Sequence, residues 1–172
     1  GIKVTPNFRY PFFALNIADF WHRWHISLTS WMTDYVYLPL SFIFRGWRKW
    51  GLIVAIIINF VIVGMWHGAG WNYIIYGCYH GLLFVPLILL GTINTKVEIQ
   101  TNKVGLPILR DLSRMLLTFV FVCFGMMIFR TGSIDVFMTI VKQFGNNFLS
   151  IPEVGAKIAW LMVVVMMAVE WM

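Results

Sequence analysis

Four histidines are the side chains of this sequence best suited to acid–base chemistry: His22, His25, His67 and His80. His67 is the most informative, because it ends an uncharged apolar run and is followed by Gly-Ala-Gly. A titratable side chain at membrane depth is costly and marks a functional site by default, and glycines beside it permit a broken helix or close approach of a substrate. We interpret His67 as a proton acceptor; the alternative is a histidine bonded to a carbonyl at a helix break.

The other histidines also allow two interpretations each. His25 lies at the edge of the apolar face of its segment, where an aromatic belt with polar residues facing lipid headgroups is the alternative to a chemical role. His80 shares helical spacing with tyrosine and phenylalanine side chains, which favours a polar stripe between packed helices over a direct role in catalysis.

No other catalytic pattern accompanies the histidines. No acidic residue flanks His67 or His80 in the sequence, so Asp19 and Asp34 are the nearest candidates for a carboxylate that orients an imidazole. A Ser-His-Asp triad is not recognisable, because the serines near His25 belong to a helix face without a GxSxG elbow.

The composition places these residues in a membrane. Of the 172 residues, 60% are hydrophobic and 12% are charged, whereas soluble domains carry about 25% charged residues. Cys78 and Cys123 lie in apolar runs without a CxxC pair, so we expect neither a metal site nor a disulfide framework. The net charge of +6 comes from Lys and Arg scattered between apolar stretches rather than clustered on one face, so we expect no nucleic-acid partner.

Long apolar runs predict an all-α fold with about four membrane helices. No charged residue occurs between Lys49 and Lys96, and one membrane-spanning helix needs about 20 apolar residues. We therefore predict two spans, from about Trp50 to Trp66 and from about Trp71 to Leu90, that meet near residues 68–70. Residues 115–129 predict a third span that is short for a crossing, and residues 158–169 predict a fourth that is shorter still. Residues 134–149 predict a surface or re-entrant helix.

The segment from Asn16 to Leu38 predicts an amphipathic helix of a different kind. Asn16 can cap the helix, Asp19 lies in its first turn, and Pro39 ends it. Tryptophans share one face and polar side chains the other, so we expect the helix to lie at the membrane interface or to line a polar cavity. Asp19 and Arg23 are spaced to form an (i, i+4) ion pair.

Two stretches of the sequence resemble signatures of the membrane-bound O-acyltransferase (MBOAT) family. The first is DFWHRWHISLTSW at 19–31 with DYVYLPL at 34–40, and the second is GMWHGAGW at 64–71, followed by Tyr76-Gly77 and His80-Gly81. Residues 119–130 also resemble the helix that follows in the alginate O-acetyltransferase branch. The resemblance implies that residues 1–172 are the C-terminal part of a single MBOAT domain, in a longer all-α protein that crosses the membrane several times.

The resemblance also implies acyl transfer at a bacterial inner membrane. His67 would be the general base that takes the proton of an acceptor hydroxyl, and His25 would place a substrate or stabilise the tetrahedral intermediate. An acyl thioester or a similar donor would be a co-substrate, with no cofactor and no metal. Six further residues would support the site or line the substrate channel: Trp24, Asp34, Trp66, Gly68, Trp71 and His80.

The identity of the acceptor stays open at this point. The resemblance implies an extracytoplasmic polysaccharide such as alginate, reached directly or through an acyl-accepting extracytoplasmic protein, with membrane lipid around the helices. A sister branch transfers D-alanine to teichoic acid. Two functions of other classes remain: an electron-transfer protein in which His67 and His80, thirteen residues apart on one long helix, bind haems, and a transporter in which His67 relays protons.

Overall fold

A computed structural model describes residues 6–95, 98–102 and 105–147. Within these ranges the chain is helical, apart from loops and one isolated antiparallel bridge between Thr101 and Pro107, so the predicted all-α class is confirmed. A short 3-10 helix, Pro11–Phe13, precedes the first α-helix. The α-helices are α1 (Ile17–Arg23), α2 (Ile26–Met32), α3 (Leu38–Ile43), α4 (Lys49–His67), α5 (Trp71–Leu83), α6 (Val85–Leu90), α7 (Leu109–Arg130) and α8 (Ile134–Asn147).

Three helical stretches are long and apolar enough to cross a membrane: α4, the continuous pair α5–α6 from Trp71 to Leu90, and α7. The first two match the predicted spans. The expectation that the third span is short is wrong, because α7 begins at Leu109 and has 22 residues. The first turns of α7 are polar, and Asp111 is the buried residue among them. Its carboxylate accepts a hydrogen bond from the Gln100 amide at 2.9 Å and lies beside the guanidinium groups of Arg110 and Arg114.

The first two spans form a tight antiparallel hairpin. A side chain at Gly64 would meet the carbonyl oxygen of Tyr73, and one at Gly77 would meet that of Phe60. Glycine is therefore required at both positions for the backbones to approach this closely. At the other end of the hairpin, the Lys49 ammonium donates to the Leu89 carbonyl at 2.7 Å, so the loops that flank the hairpin lie at the same end.

The predicted single helix from Asn16 to Leu38 is wrong, although its start is confirmed. The Asn16 side chain accepts a hydrogen bond from the Asp19 amide at 2.8 Å, and Arg23 pairs with Asp19 at 2.7 Å. The helix then breaks after Arg23, because His25 adopts a left-handed backbone conformation with φ 47°. α1 and α2 are consequently separate helices, and the predicted shared face does not continue past the break.

Pro39 does not end the helical segment, contrary to the prediction. A π-helical stretch, Thr33–Tyr37, follows α2 and leads directly into α3, with Pro39 in the first turn of α3. The wider π turn relaxes the hydrogen-bond pattern just where proline lacks an N–H and crowds the preceding turn.

The chain divides into two compact units, residues 1–134 and 135–172. The first unit contains α1 to α7 and the candidate site. In the second unit, α8 confirms the helix predicted over 134–149 as far as Asn147, and it is strongly amphipathic. The fourth predicted span, 158–169, lies outside the described residues.

Candidate active site

One cavity of about 240 Å³ brings together side chains from α1, the break after it, α2, α4, α5 and α7. Two of the four histidines contribute to it, and the rest of the lining is mainly aromatic and aliphatic. The lining residues are Trp21, Trp24, His25, Leu28, His67, Tyr76, Met126 and Phe129. Two imidazoles thus face one space whose other walls are largely apolar, although His67 itself is exposed at its rim.

His67 is the last residue of α4 and is held by aromatic contacts. Its ring lies edge-on to Phe129 at 4.9 Å and to Tyr76 at 6.4 Å between ring centroids, and Trp66 lies at 4.8 Å. No residue that the structure describes forms a hydrogen bond with the imidazole, so the bond to a carbonyl that we considered as the alternative is not made. Within the described part of the chain, neither ring nitrogen of His67 has a hydrogen-bond partner.

His25 is positioned by its backbone. Its left-handed conformation lies between α1 and α2, and the preceding chain fixes it: the Ile26 amide donates to the Asn7 carbonyl at 2.9 Å, and the Ser27 amide donates to the Asn7 side chain at 3.0 Å. The buried Nδ1 of His25 has no hydrogen-bond partner among the described residues. A non-glycine residue in this conformation is costly and is found preferentially at functional sites.

His80 does not line the cavity. It is fully buried, and the Trp21 indole donates to its Nδ1 at 3.3 Å. Its Nε2 points toward Gly125 of α7, where an added Cβ would collide with it. His80 therefore packs between α5, α1 and α7, as expected for a polar stripe between helices, and it holds the Trp21 wall of the cavity in place.

The other residues expected at the site are dispersed around it. Trp24 lines the cavity, while Trp66 is exposed but lies beside both histidine rings, 6.3 Å from His25. Gly68 follows His67, and a side chain there would meet the Tyr73 ring at 2.5 Å. Trp71 is 71% exposed at the start of α5 and is not part of the cavity lining.

The two candidate carboxylates do not orient a histidine. Asp19 accepts hydrogen bonds from the Leu15 amide and the Arg23 guanidinium, so its oxygens serve the first turn of α1. Asp34 is exposed in the π-helical stretch and lines a second cavity of about 270 Å³, which shares only Trp21 with the first. The expectation of an orienting carboxylate from either residue is therefore wrong for the described part of the chain.

Several lining residues were not singled out from the sequence. Trp21 and Tyr76 each carried a signal, since Trp21 lies in the first aromatic stretch and Tyr76 precedes His80 by one helical turn. Leu28, Met126 and Phe129 carried none, because apolar side chains in an apolar chain do not reveal which of them face a cavity.

The residues that the structure describes contain no group of three or more metal-binding side chains. The haem arrangement considered above also required one long helix to carry both His67 and His80. α4 ends at His67 and α5 begins at Trp71, so the two histidines lie on different helices and that arrangement does not form.

Comparison with known proteins identifies relatives of this chain. The family model described as MBOAT, membrane-bound O-acyltransferase family, matches residues 1–130. The teichoic acid D-alanyltransferase of Bacillus subtilis is 39% identical over 75% of this chain and 33% of its own length. The peptidoglycan O-acetyltransferase of Helicobacter pylori is 36% identical over 88% of this chain and 27% of its own length.

A third relative is the probable alginate O-acetylase AlgI of Pseudomonas syringae, which is 34% identical over 79% of this chain and 24% of its own length. The chain thus spans about a quarter to a third of the length of these relatives. The family model covers well over half of the chain, and it includes both histidines of the cavity. Together with the apolar spanning helices, this shows that the chain is a membrane protein and belongs to the membrane-bound O-acyltransferase family.

Proposed function

We propose that the full-length protein is a multi-pass O-acyltransferase of the bacterial inner membrane. It transfers an acyl group, in the simplest case acetyl, to hydroxyls of an extracytoplasmic polysaccharide such as alginate, and residues 1–172 form the C-terminal part of its single membrane domain. One observation carries the proposal: His67 and His25 line the same apolar cavity, and His67 has no hydrogen-bond partner in the described structure. An imidazole so placed is free to take a proton from an acceptor hydroxyl.

The proposed reaction begins with the acceptor hydroxyl at His67. The imidazole takes the hydroxyl proton as the oxygen attacks the acyl carbon of a thioester. The tetrahedral intermediate then expels the thiolate, which receives the proton back from His67. The residues thus cycle one proton and need neither a cofactor nor a metal, and the acyl thioester is a co-substrate.

The apolar lining limits the groups that can react with the thioester. Leu28, Met126 and Phe129 supply no polar side chains to the cavity wall, so a thioester held against them meets no competing nucleophile from these residues. His25 lies opposite in the same wall with a conformation fixed by Asn7, and we assign it to positioning of the acceptor.

The charge distribution supports one orientation in the membrane. Arg45 and Arg48 precede α4, which starts at Lys49, and Arg110 and Arg114 lie in the first turns of α7. The bond from Lys49 to Leu89 holds the flanking loops at one end. Because cytoplasmic loops are enriched in Lys and Arg, we place this end in the cytoplasm. His67, at the opposite end of α4, then lies toward the extracytoplasmic acceptor.

A second acceptor is supported by a specific observation. The Bacillus subtilis relative at 39% identity is named a teichoic acid D-alanyltransferase. The same cavity chemistry serves D-alanyl transfer, since the acyl carbon and the leaving thiol are unchanged. The two candidate functions differ only in the acyl group and the polymer. The chemical identity of the ester that the protein forms distinguishes between them.

The test is a substitution in the full-length protein in its own cells. With His67→Ala, expressed and inserted normally, the ester-linked acyl groups of the envelope polysaccharides should be lost. His22→Ala is the matched control, because His22 is an exposed histidine outside the His67 cavity. Acetate released by mild base supports the first acceptor, and D-alanine supports the second. Unchanged ester content in the His67→Ala cells contradicts the proposal. So does a second result, in which His67→Ala cells stop exporting the polymer and wild-type cells contain no acylated product.

A further inference from the structure

Tyr76 differs from the other tyrosines of α5 in its position. It is only 2% exposed and lines the same cavity as His67 and His25. Its ring lies 6.4 Å from the His67 ring and 4.6 Å from the His80 ring, edge-on to both. The phenol is therefore in the cavity wall, beside the imidazole assigned to take the proton.

The Tyr76 hydroxyl makes no hydrogen bond with any residue that the structure describes. Tyr79, three residues further along the same helix, shows the usual situation: its hydroxyl donates to the Phe121 carbonyl at 2.9 Å. Buried tyrosines usually find such a partner, because a hydroxyl removed from water without one loses its hydrogen bonds to solvent and gains none in return. The Tyr76 hydroxyl is not itself fully buried, since Tyr76 lines the cavity, and it is a donor whose acceptor is not supplied by the described chain.

The position of Tyr76 is rigidly fixed. Its ring packs edge-on against Phe129 at 5.2 Å and against His80, which the Trp21 indole holds. The next residue, Gly77, lies against the α4 backbone so closely that a side chain would meet the Phe60 carbonyl. A donor that needs no rearrangement is what electrostatic stabilisation of a developing charge requires.

The neighbouring donors of the cavity wall are less suitable. The Trp21 indole N–H is already used by His80. The Trp24 indole has no such partner among the described residues, but this side chain is partly exposed and stacks on Phe20. His25 is already assigned to the acceptor. Among the hydroxyl and indole groups of the lining, Tyr76 combines a closely packed ring with a hydroxyl that no described residue uses.

We propose that the Tyr76 hydroxyl donates a hydrogen bond to the carbonyl oxygen of the acyl donor and stabilises the oxyanion of the tetrahedral intermediate. This inference rests on the proposed acyl transfer. As the acceptor oxygen bonds to the acyl carbon and loses its proton to His67, the carbonyl π electrons move onto the oxygen that Tyr76 faces. On collapse the C–O double bond re-forms, the C–S bond breaks, and the thiolate takes the proton from His67. Tyr76 keeps its own proton throughout.

The experiment compares Tyr76→Phe with Tyr79→Phe in the purified full-length protein, using a short-chain acyl thioester and a polysaccharide acceptor. Each variant loses one hydroxyl and keeps its ring, so helix packing is preserved. Removing one oxyanion donor lowers kcat by about 100- to 1,000-fold. We expect that loss in Tyr76→Phe, with a nearly unchanged KM for the thioester, and a kcat close to wild type in Tyr79→Phe.

A binding measurement separates oxyanion stabilisation from a structural role. A trifluoromethyl ketone analogue of the thioester forms a tetrahedral adduct, whereas a thioether analogue has no carbonyl group. We expect Tyr76→Phe to weaken inhibition by the ketone strongly and to leave inhibition by the thioether unchanged. Equal weakening of both, a kcat near wild type, or the kcat loss appearing in Trp24→Phe instead, would overturn the assignment to Tyr76.

Failure of this inference is distinguishable from failure of the proposed function. If the wild type transfers acyl groups, His67→Ala does not, and Tyr76→Phe is fully active, only the role of Tyr76 is wrong. If the wild type transfers no acyl group from the thioester, or His67→Ala is as active as the wild type, the proposed function itself is wrong.

Discussion

Single side chains at the cavity are held in two different ways. His67 is an exposed residue that packs against aromatic rings and makes no hydrogen bond in the described structure, whereas His25 is fixed through its backbone by Asn7. His80 forms the support behind them, because it accepts the Trp21 indole hydrogen bond and fills the space in front of Gly125. The two cavity histidines can therefore be perturbed separately.

Packing at His80 gives a prediction about stability. In Gly125→Ala the new Cβ would collide with Nε2 of the buried His80. Overpacking of this kind costs about 1–3 kcal/mol, so we expect a lower Tm for the detergent-solubilised full-length protein. Gly132→Ala is the control, because a Cβ at Gly132 has open space around it. Equal Tm values for both variants would show that His80 is not confined as described.

Among the helices, the break between α1 and α2 matters most for the site. The chain before α1 supplies the hydrogen bonds that hold this break. The Arg9 amide donates to the Arg23 carbonyl, and Asn7 accepts hydrogen bonds from the amides of Ile26 and Ser27. Asn7 thus provides the helix cap that His25 itself does not make. The break places His25 in the cavity wall instead of on a continuous helix face.

Removal of the Asn7 side chain should loosen this break. Loss of a helix cap costs about 0.5–2 kcal/mol, and we expect Asn7→Ala to lower Tm and to raise KM for the acceptor as His25 loses its fixed position. Ser27→Ala is the matched control, since the bond uses the Ser27 amide and not its hydroxyl. Identical kinetics and Tm in the two variants would contradict the role assigned to Asn7.

The sequence predicted the regular helices much better than the irregular ones. The charge-free stretch indicated α4 and the α5–α6 pair, and Asn16 marked the start of α1, because long apolar runs and caps are local signals. The break at His25 was missed, since it depends on tertiary bonds from Asn7. The passage through Pro39 was missed because a π turn leaves no clear pattern in the sequence.

The candidate site was predicted only in part for the same reason. His25, His67 and Trp24 were named from the sequence and share the cavity, but Tyr76 became a candidate only when its unused hydroxyl was visible beside His67. Asp34 was named and lies in a different cavity.

For the molecule as a whole, the orientation in the membrane can be tested directly. In a full-length background with all native cysteines replaced by alanine, Cys78 and Cys123 among them, single cysteines at Gly46 and Gly132 report on opposite ends of the helices. Both positions are exposed with open space around them. A membrane-impermeant maleimide should label Gly132→Cys in intact cells and Gly46→Cys only after permeabilisation, because basic loops stay in the cytoplasm. The reverse labelling pattern would contradict the proposed orientation.

The central claim is that His67 acts as the general base of acyl transfer in the cavity it shares with His25. Its most direct test is the rate at which the purified full-length protein releases thiol from an acyl thioester in the presence of a polysaccharide acceptor. Loss of general base catalysis lowers the rate by about 100- to 10,000-fold. We expect His67→Gln to show that loss, with His22→Gln near the wild-type rate; a wild-type rate in His67→Gln would contradict the account.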